Sequence, residues 1–311
     1  MNMTKFSRAD LAAARKLRKF VLRLEETRAP QGWWPRVVES HGARSIEHGT
    51  LVILHNPPSR KYWHCKTKAA CAFEVAVGAI LTQNTAWSNV ERALLELARK
   101  DLLDSHRLAK IPPSRLEPVI RSSGYYKQKA KKLKLFAQFV EEELGGDLRN
   151  ILKNCRLEEA QSRPKDLYKG PSTALRFAQD DIIAKAREKL LSLWGVGHET
   201  ADTILLFALD QPIFVVDTYT RRLLEKLTGN PRWLIRPYDE IREVCESVFH
   251  SGYRLTKGRM ACAPTISWQN AHALIVAWGK EERRSWLFSR KKLVCARFVN
   301  ADEGSFHGAK L

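Results

Sequence analysis

Acids are scarce in this chain. Thirty-four Asp and Glu face 53 Lys and Arg, a net charge of +19 over 311 residues. That imbalance suits a polyanionic partner, nucleic acid first and an anionic membrane surface second. No run of about 20 apolar residues occurs, so a bilayer-spanning helix is excluded. The six cysteines (Cys65, Cys71, Cys155, Cys245, Cys262 and Cys295) are few and irregularly spaced. Reduced thiols and no bound metal are therefore expected. The N-terminal stretch has no apolar signal core and carries Asp10, Glu25 and Glu26, which points away from secretion. Internal repeats and low-complexity tracts are missing, so solenoids and linker-like segments are not indicated.

What is present is mostly helical periodicity. Ser7–Glu26 opens with a serine cap and repeats apolar residues every three or four positions. Ala72–Ala98 reads as a buried helix, a polar interruption and a second helix. Two further helices meet near Gly124. The polar stretch 154–180, broken by Pro and Gly, reads as a loop-rich insertion. Strand signals are limited to Thr50–His55 and the apolar strip 212–217, PIFVVD. The expected fold is all-α, with a short β element near the N-terminus.

One stretch concentrates the chemistry. After Leu190, the chain reads LSLWGVGHETADTILLFALDQPIFVVDTYTRRLL. Gly195 and Gly197 flank Val196, an arrangement that permits a tight turn with positive φ while the valine plugs the gap between two helices. The second helix, starting near His198, would offer free N–H groups to a phosphate. The apolar strip then ends in Asp217. By itself such an aspartate is most simply a helix N-cap.

The pattern L-x-G-V-G-x-x-T-A, followed about 18 residues later by V-V-D-T, resembles the helix-hairpin-helix DNA glycosylases, the endonuclease III-like superfamily. Three other segments share the resemblance: Gly78–Leu94 (GAILTQNTAWSNVERAL), Ser123–Lys134 (SGYYKQKAKKLK) and Asn270–Glu281 (NAHALIVAWGKE). The resemblance implies two helical domains with a cleft between them. Residues 1–71 and 212–311 would form a discontinuous second domain, and 72–211 a helical barrel with the hairpin at about 185–209. It further implies that Asp217 is the catalytic carboxylate. Gly195, Val196, Gly197, His198 and Thr200 would grip DNA, while Gln83 or Asn84 fills the gap left by an extruded base.

Two departures narrow the expectation. Bifunctional relatives carry a lysine two residues after the second hairpin glycine; here that position is Glu199, and a carboxylate forms no Schiff base. The four-cysteine motif of an iron–sulfur cluster is replaced by ERRSWLFSRKKLVCARF, which holds one cysteine, so no cluster or other cofactor is expected. These features, together with GWWPR, look most like the 3-methyladenine DNA glycosylase III branch. Trp33, Trp34, Pro35, Phe73, Glu199 and Lys280 would form the base pocket, with indole faces stacking on a cationic alkylated purine. The implied partner is double-stranded DNA bearing a damaged base, met by a monomer with no membrane association. The setting would be the cytoplasm and nucleoid of a bacterium, or a eukaryotic nucleus. A monofunctional enzyme for oxidised or mismatched bases, or a noncatalytic helix-hairpin-helix module, remain as alternatives.

Overall fold

The computed structural model describes residues 6–28, 34–39, 51–54, 67–162, 172–249, 255–256, 259–260 and 267–299. Helices dominate. Helix α1 (Arg8–Thr27) begins at a reciprocal capping box: Ser7 Oγ accepts from the Asp10 N–H at 3.1 Å, and the Asp10 carboxylate accepts from the Ser7 N–H at 3.4 Å. The first core is built by α2 (Lys68–Thr82), α3 (Trp87–Arg99), α4 (Ser105–Lys110), α5 (Pro113–Leu116), α6 (Tyr126–Leu144), α7 (Asn150–Ser162), α8 (Ser172–Leu191) and α9 (His198–Thr203). Helix α2 is buried on every side from Cys71 to Leu81. A helix apolar all round belongs at the centre of a bundle, and truncating Leu81 to alanine there would cost about 2–5 kcal/mol. Helix α9 runs on into a π-helical turn, Ile204–Ala208.

The second core joins α1 to α10 (Thr218–Thr228), α11 (Tyr238–Phe249) and α12 (Trp268–Val299). Its apolar side chains come from both ends of the chain, Ala13, Leu17 and Val21 from α1 and Leu274 and Ile275 from α12. Two short antiparallel pairs complete the structure: β1 (Arg36–Glu39) with β2 (Leu51–Leu54), and β3 (Leu255–Thr256) with β4 (Arg259–Met260). No described helix is long and apolar enough to cross a membrane.

Several local expectations are corrected. Most of the supposed loop at 154–180 is helical, lying in α7 and α8. Its Arg, Leu, Glu, Ala and Gln residues are good helix formers, and Pro164, Gly170 and Pro171 lie outside the described residues. The helix expected before Gly124 is only the single turn α5 followed by a 3-10 turn at Arg121–Ser123. Cys71 is disulfide-bonded, contrary to the expectation of reduced thiols, whereas Cys155 and Cys245 are free and buried.

Candidate active site

The strip before Asp217 is not helical, and it pairs with no strand among the described residues. Its side chains alternate between the two cores: Ile213 and Val215 enter the first, Phe214 and Val216 the second. A buried backbone outside helix and sheet must still satisfy its polar groups. Side chains do this here. Phe214 N–H donates to Glu246 Oε1 at 3.0 Å, and Val216 N–H donates to the Tyr238 hydroxyl at 3.2 Å. Asp217 follows as the N-cap of α10, and its Oδ1 accepts from Thr220 N–H at 2.7 Å. The carboxylate is thus fixed where the cores meet, with the residue only 9% exposed.

Glu199, in the first turn of α9, shares its electrostatic environment. Burial of its carboxyl, then the negative charge of Asp217, push its pKa from 4.5 up to about 7, while the Arg221 cation pulls it down. Glu199 as a whole stays solvent-accessible, so the desolvation is that of a concave wall rather than a sealed core. Arg221 is itself anchored, donating to the carbonyls of Arg236 at 2.6 Å and Trp233 at 3.3 Å. From α12, His272 hydrogen-bonds the Val215 backbone; burial pushes its pKa down, with Asp217 acting in the opposite direction. Two carboxylates and a buried imidazole converge on the end of the strip.

The hairpin has one positive-φ glycine. Gly195 sits at φ +85°, whereas Gly197 is at −94° and serves as the N-cap of α9 without a side-chain cap. Val196 is buried as a plug, while His198 is exposed. The polar turn after α2 is tied directly to this hairpin. Gln83 Nε2 donates to Gly195 O and to Thr200 Oγ1, both at 2.9 Å, and Gln83 Oε1 accepts from Lys132 Nζ at 2.5 Å. Thr200 is accordingly buried, and Gln83 is tethered rather than free. Asn84, at φ +53°, is the exposed tip of the turn.

The segment SGYYKQKAKKLK supplies structural parts whose roles its sequence does not reveal. Lys129 is buried and donates to Leu81 O at 2.8 Å and Ser123 O at 2.6 Å, so it caps the end of α2. Burial, then the charge of Lys132, lower its pKa to about 8. The Lys132 stem packs on Gly195, where a Cβ would meet it at 2.5 Å. Tyr125, 69% exposed and left-handed, stands beside Asn84 around an open cavity of about 230 Å³ lined also by Gln83 and Gln128. The only advance signal for these roles was the repeated lysine spacing.

The expected base-pocket residues are dispersed. Trp33 lies outside the described residues. Trp34 lodges against Gly78 and meets Trp87 and Phe207, each at 5.1 Å between ring centroids. Phe207 in turn reaches His272 at 5.7 Å, so an aromatic row leads from Trp34 to the imidazole beside the strip. Pro35 is half-buried next to Trp34. Phe73 is stacked on Phe136 inside the first core, 5.9 Å between centroids. Lys280 is exposed on α12.

A family model described as HhH-GPD superfamily base excision DNA repair protein matches residues 77–250, spanning both hairpin and aspartate. The chain belongs to this family. It is 36% identical over 245 residues to the putative DNA repair glycosylase MJ1434 of Methanocaldococcus jannaschii, covering 78% of this chain and 88% of that protein. It is 24% identical over 216 residues to Endonuclease III of Bacillus subtilis, covering 70% and 75%. The fold is shared with H. pylori 3-methyladenine DNA glycosylase (MagIII) bound to 1,N6-ethenoadenine, at a TM-score of 0.51 and 24% identity over 88% of this chain and 98% of that one. The protein is a DNA glycosylase of base excision repair, and DNA is its substrate.

Proposed function

We propose that this glycosylase is monofunctional and removes alkylated purines of the 3-methyladenine type from double-stranded DNA, acting as a monomer. The observation that carries the reading is the pairing of Asp217 with Glu199. Asp217 is held between the cores, and the hairpin position where a Schiff-base lysine would attack the sugar carries a carboxyl instead. Cleavage of the N-glycosidic bond develops positive charge on the sugar, which Asp217 stabilises while orienting water. Glu199, half-protonated near neutrality, can give or take a proton in the same space. An alkylated purine is already cationic and leaves without a strong acid, which matches a site with so mild a proton donor. The row Trp34–Phe207–His272 supplies apolar and aromatic surface next to the strip, suited to a flat cationic base.

The described thiols do not fit an iron–sulfur cluster. Cys155 belongs to the first core, Cys245 to the second, and Cys71 is in a disulfide; four converging thiolates are needed to hold one.

The test is base release from methylated duplex DNA by the unaltered protein and by Asp217→Asn, with strand breaks followed with and without alkali. Asp217→Asn is expected to release bases about 10²–10³-fold more slowly at near-unchanged DNA affinity, with breaks appearing only after alkali. Breaks without alkali, or covalent trapping by borohydride, would refute the monofunctional assignment. Failure to release methylated purines would move the substrate to an oxidised or mismatched base.

A further inference from the structure

A buried network joins the hairpin to the strip that ends in Asp217. Asp202, on α9, is completely buried. Arg187, on α8, donates to it twice, Nε to Oδ1 at 2.5 Å and Nη2 to Oδ2 at 3.2 Å. The same Nη2 lies 2.7 Å from Asp239 Oδ1, and Asp239 Oδ2 is 2.9 Å from Nδ1 of His198 at the head of α9. On the other side, the Tyr238 hydroxyl accepts the Val216 N–H at 3.2 Å and sits in the field of the Asp202 carboxylate, which with burial pushes the phenol pKa up. The link thus runs from His198, through Asp239, Arg187, Asp202 and Tyr238, to the residue before Asp217.

A buried ion pair is weak evidence for stability, because desolvation offsets most of the attraction. Its arrangement here suggests another use. Among the described residues the strip has no strand neighbour to fix its position, and the amide next to Asp217 has the Tyr238 hydroxyl as its partner. That hydroxyl lies beside the acid of α9, the helix whose first turn would meet the DNA backbone in the proposed function. We propose that Tyr238 is a positioning residue: it sets the Asp217 carboxylate relative to the phosphate-gripping hairpin, so that seating the DNA and aligning the carboxylate are one event. This rests on the reading of Asp217 as the catalytic carboxylate.

Tyr238→Phe keeps the ring, which packs 5.5 Å from His198 and lies 6.0 Å from the Arg187 guanidinium, and removes only the hydroxyl. Single-turnover release of methylated purines from duplex DNA would be measured for the unaltered protein, Tyr238→Phe, Asp217→Asn and the double variant. Rates are expressed per folded molecule, counted by DNA binding. The expected result is a loss of about 10–100-fold in Tyr238→Phe, the scale of a small misplacement of a reacting group, with Kd for DNA changed by less than about threefold. The double variant should be no slower than Asp217→Asn, because a residue acting through Asp217 has nothing left to position. A purely structural role would slow both backgrounds by the same factor and would overturn the proposal. So would full activity in Tyr238→Phe while Asp217→Asn is slow. Should Asp217→Asn itself run at the unaltered rate, the catalytic reading falls, and the Tyr238 proposal falls with it.

Discussion

Glu199→Gln isolates the electrostatic cost of placing two carboxyls at one site. In the folded protein Glu199 holds its proton up to about pH 7, against 4.5 for an ordinary glutamate, chiefly because its carboxyl is desolvated and secondly because Asp217 is near. The folded state therefore binds this proton more tightly than the unfolded chain does. Stability on this account is lost as pH rises from about 4.5 to about 7, and the loss is complete above that. The full gap is worth about 3 kcal/mol by linkage. Glu199 is solvent-accessible, and screening reduces the figure to about 1 kcal/mol. Glutamine keeps the shape and does not titrate. The variant should match the unaltered protein at pH 4 and exceed it by about 1 kcal/mol at pH 8, a rise in Tm of about 2 °C. Urea unfolding at successive pH values measures this directly. In the Asp217→Asn background the gain should shrink, since one source of the perturbation is gone. A stability difference that stays flat between pH 4 and pH 8 would refute the reasoning. If Glu199 exchanges a proton during base release, the pH–rate profile of Glu199→Gln should also lose a limb near pH 7.

Four further substitutions separate positioning from contact. Gln83→Ala cuts the tie between the polar turn and the hairpin and should lower stability by about 1–2 kcal/mol as well as DNA affinity; Asn84→Ala should lower affinity for lesion DNA with Tm unchanged, read by melting and by fluorescence anisotropy. Gly195→Ala forces a side chain into φ +85° and onto the Lys132 stem at 2.5 Å. It should weaken DNA binding and cost about 1–3 kcal/mol, with base-release rate at saturating protein much less affected. Gly279→Ala would put a Cβ 2.1 Å from Tyr219 Cδ1 and should destabilise by about 1–3 kcal/mol, partly relieved by Tyr219→Ala in the same chain.

Chemistry was more legible in the sequence than structure was. Gly195, Val196 and Gly197 are consecutive and Asp217 follows on the same short stretch of chain, so the turn, the valine plug and the helix cap were visible in local spacing, while the catalytic expectation for Asp217 came from the resemblance of the whole pattern. The residues that hold Asp217 in place are not consecutive. Arg187, Asp202, Tyr238 and His272 come from four helices, and each alone looks like an ordinary helical polar residue. Only the fold shows that they meet. Lys129 and Lys132 fall between these cases: their motif was visible, but their acceptors, Leu81 O and Gln83 Oε1, are 48 and 49 positions away.

The misread strip shows why an apolar run can suggest the wrong structure. PIFVVD has the apolar density of a strand buried on both faces, and both faces are indeed buried. What covers them is not a sheet but two separate helical cores, each taking alternate side chains. Without a neighbouring strand among the described residues, the amides turn to Glu246 and Tyr238, both from α11. That arrangement ties the strip to the second core and leaves its last residue free to cap α10. A strand inside a sheet would have placed Asp217 by its register with other strands. Here the carboxylate is placed by side-chain hydrogen bonds to the strip from Glu246, Tyr238 and His272 and by one helix cap, so changing a single hydroxyl, that of Tyr238 next to Asp217, should be felt at the Asp217 carboxylate.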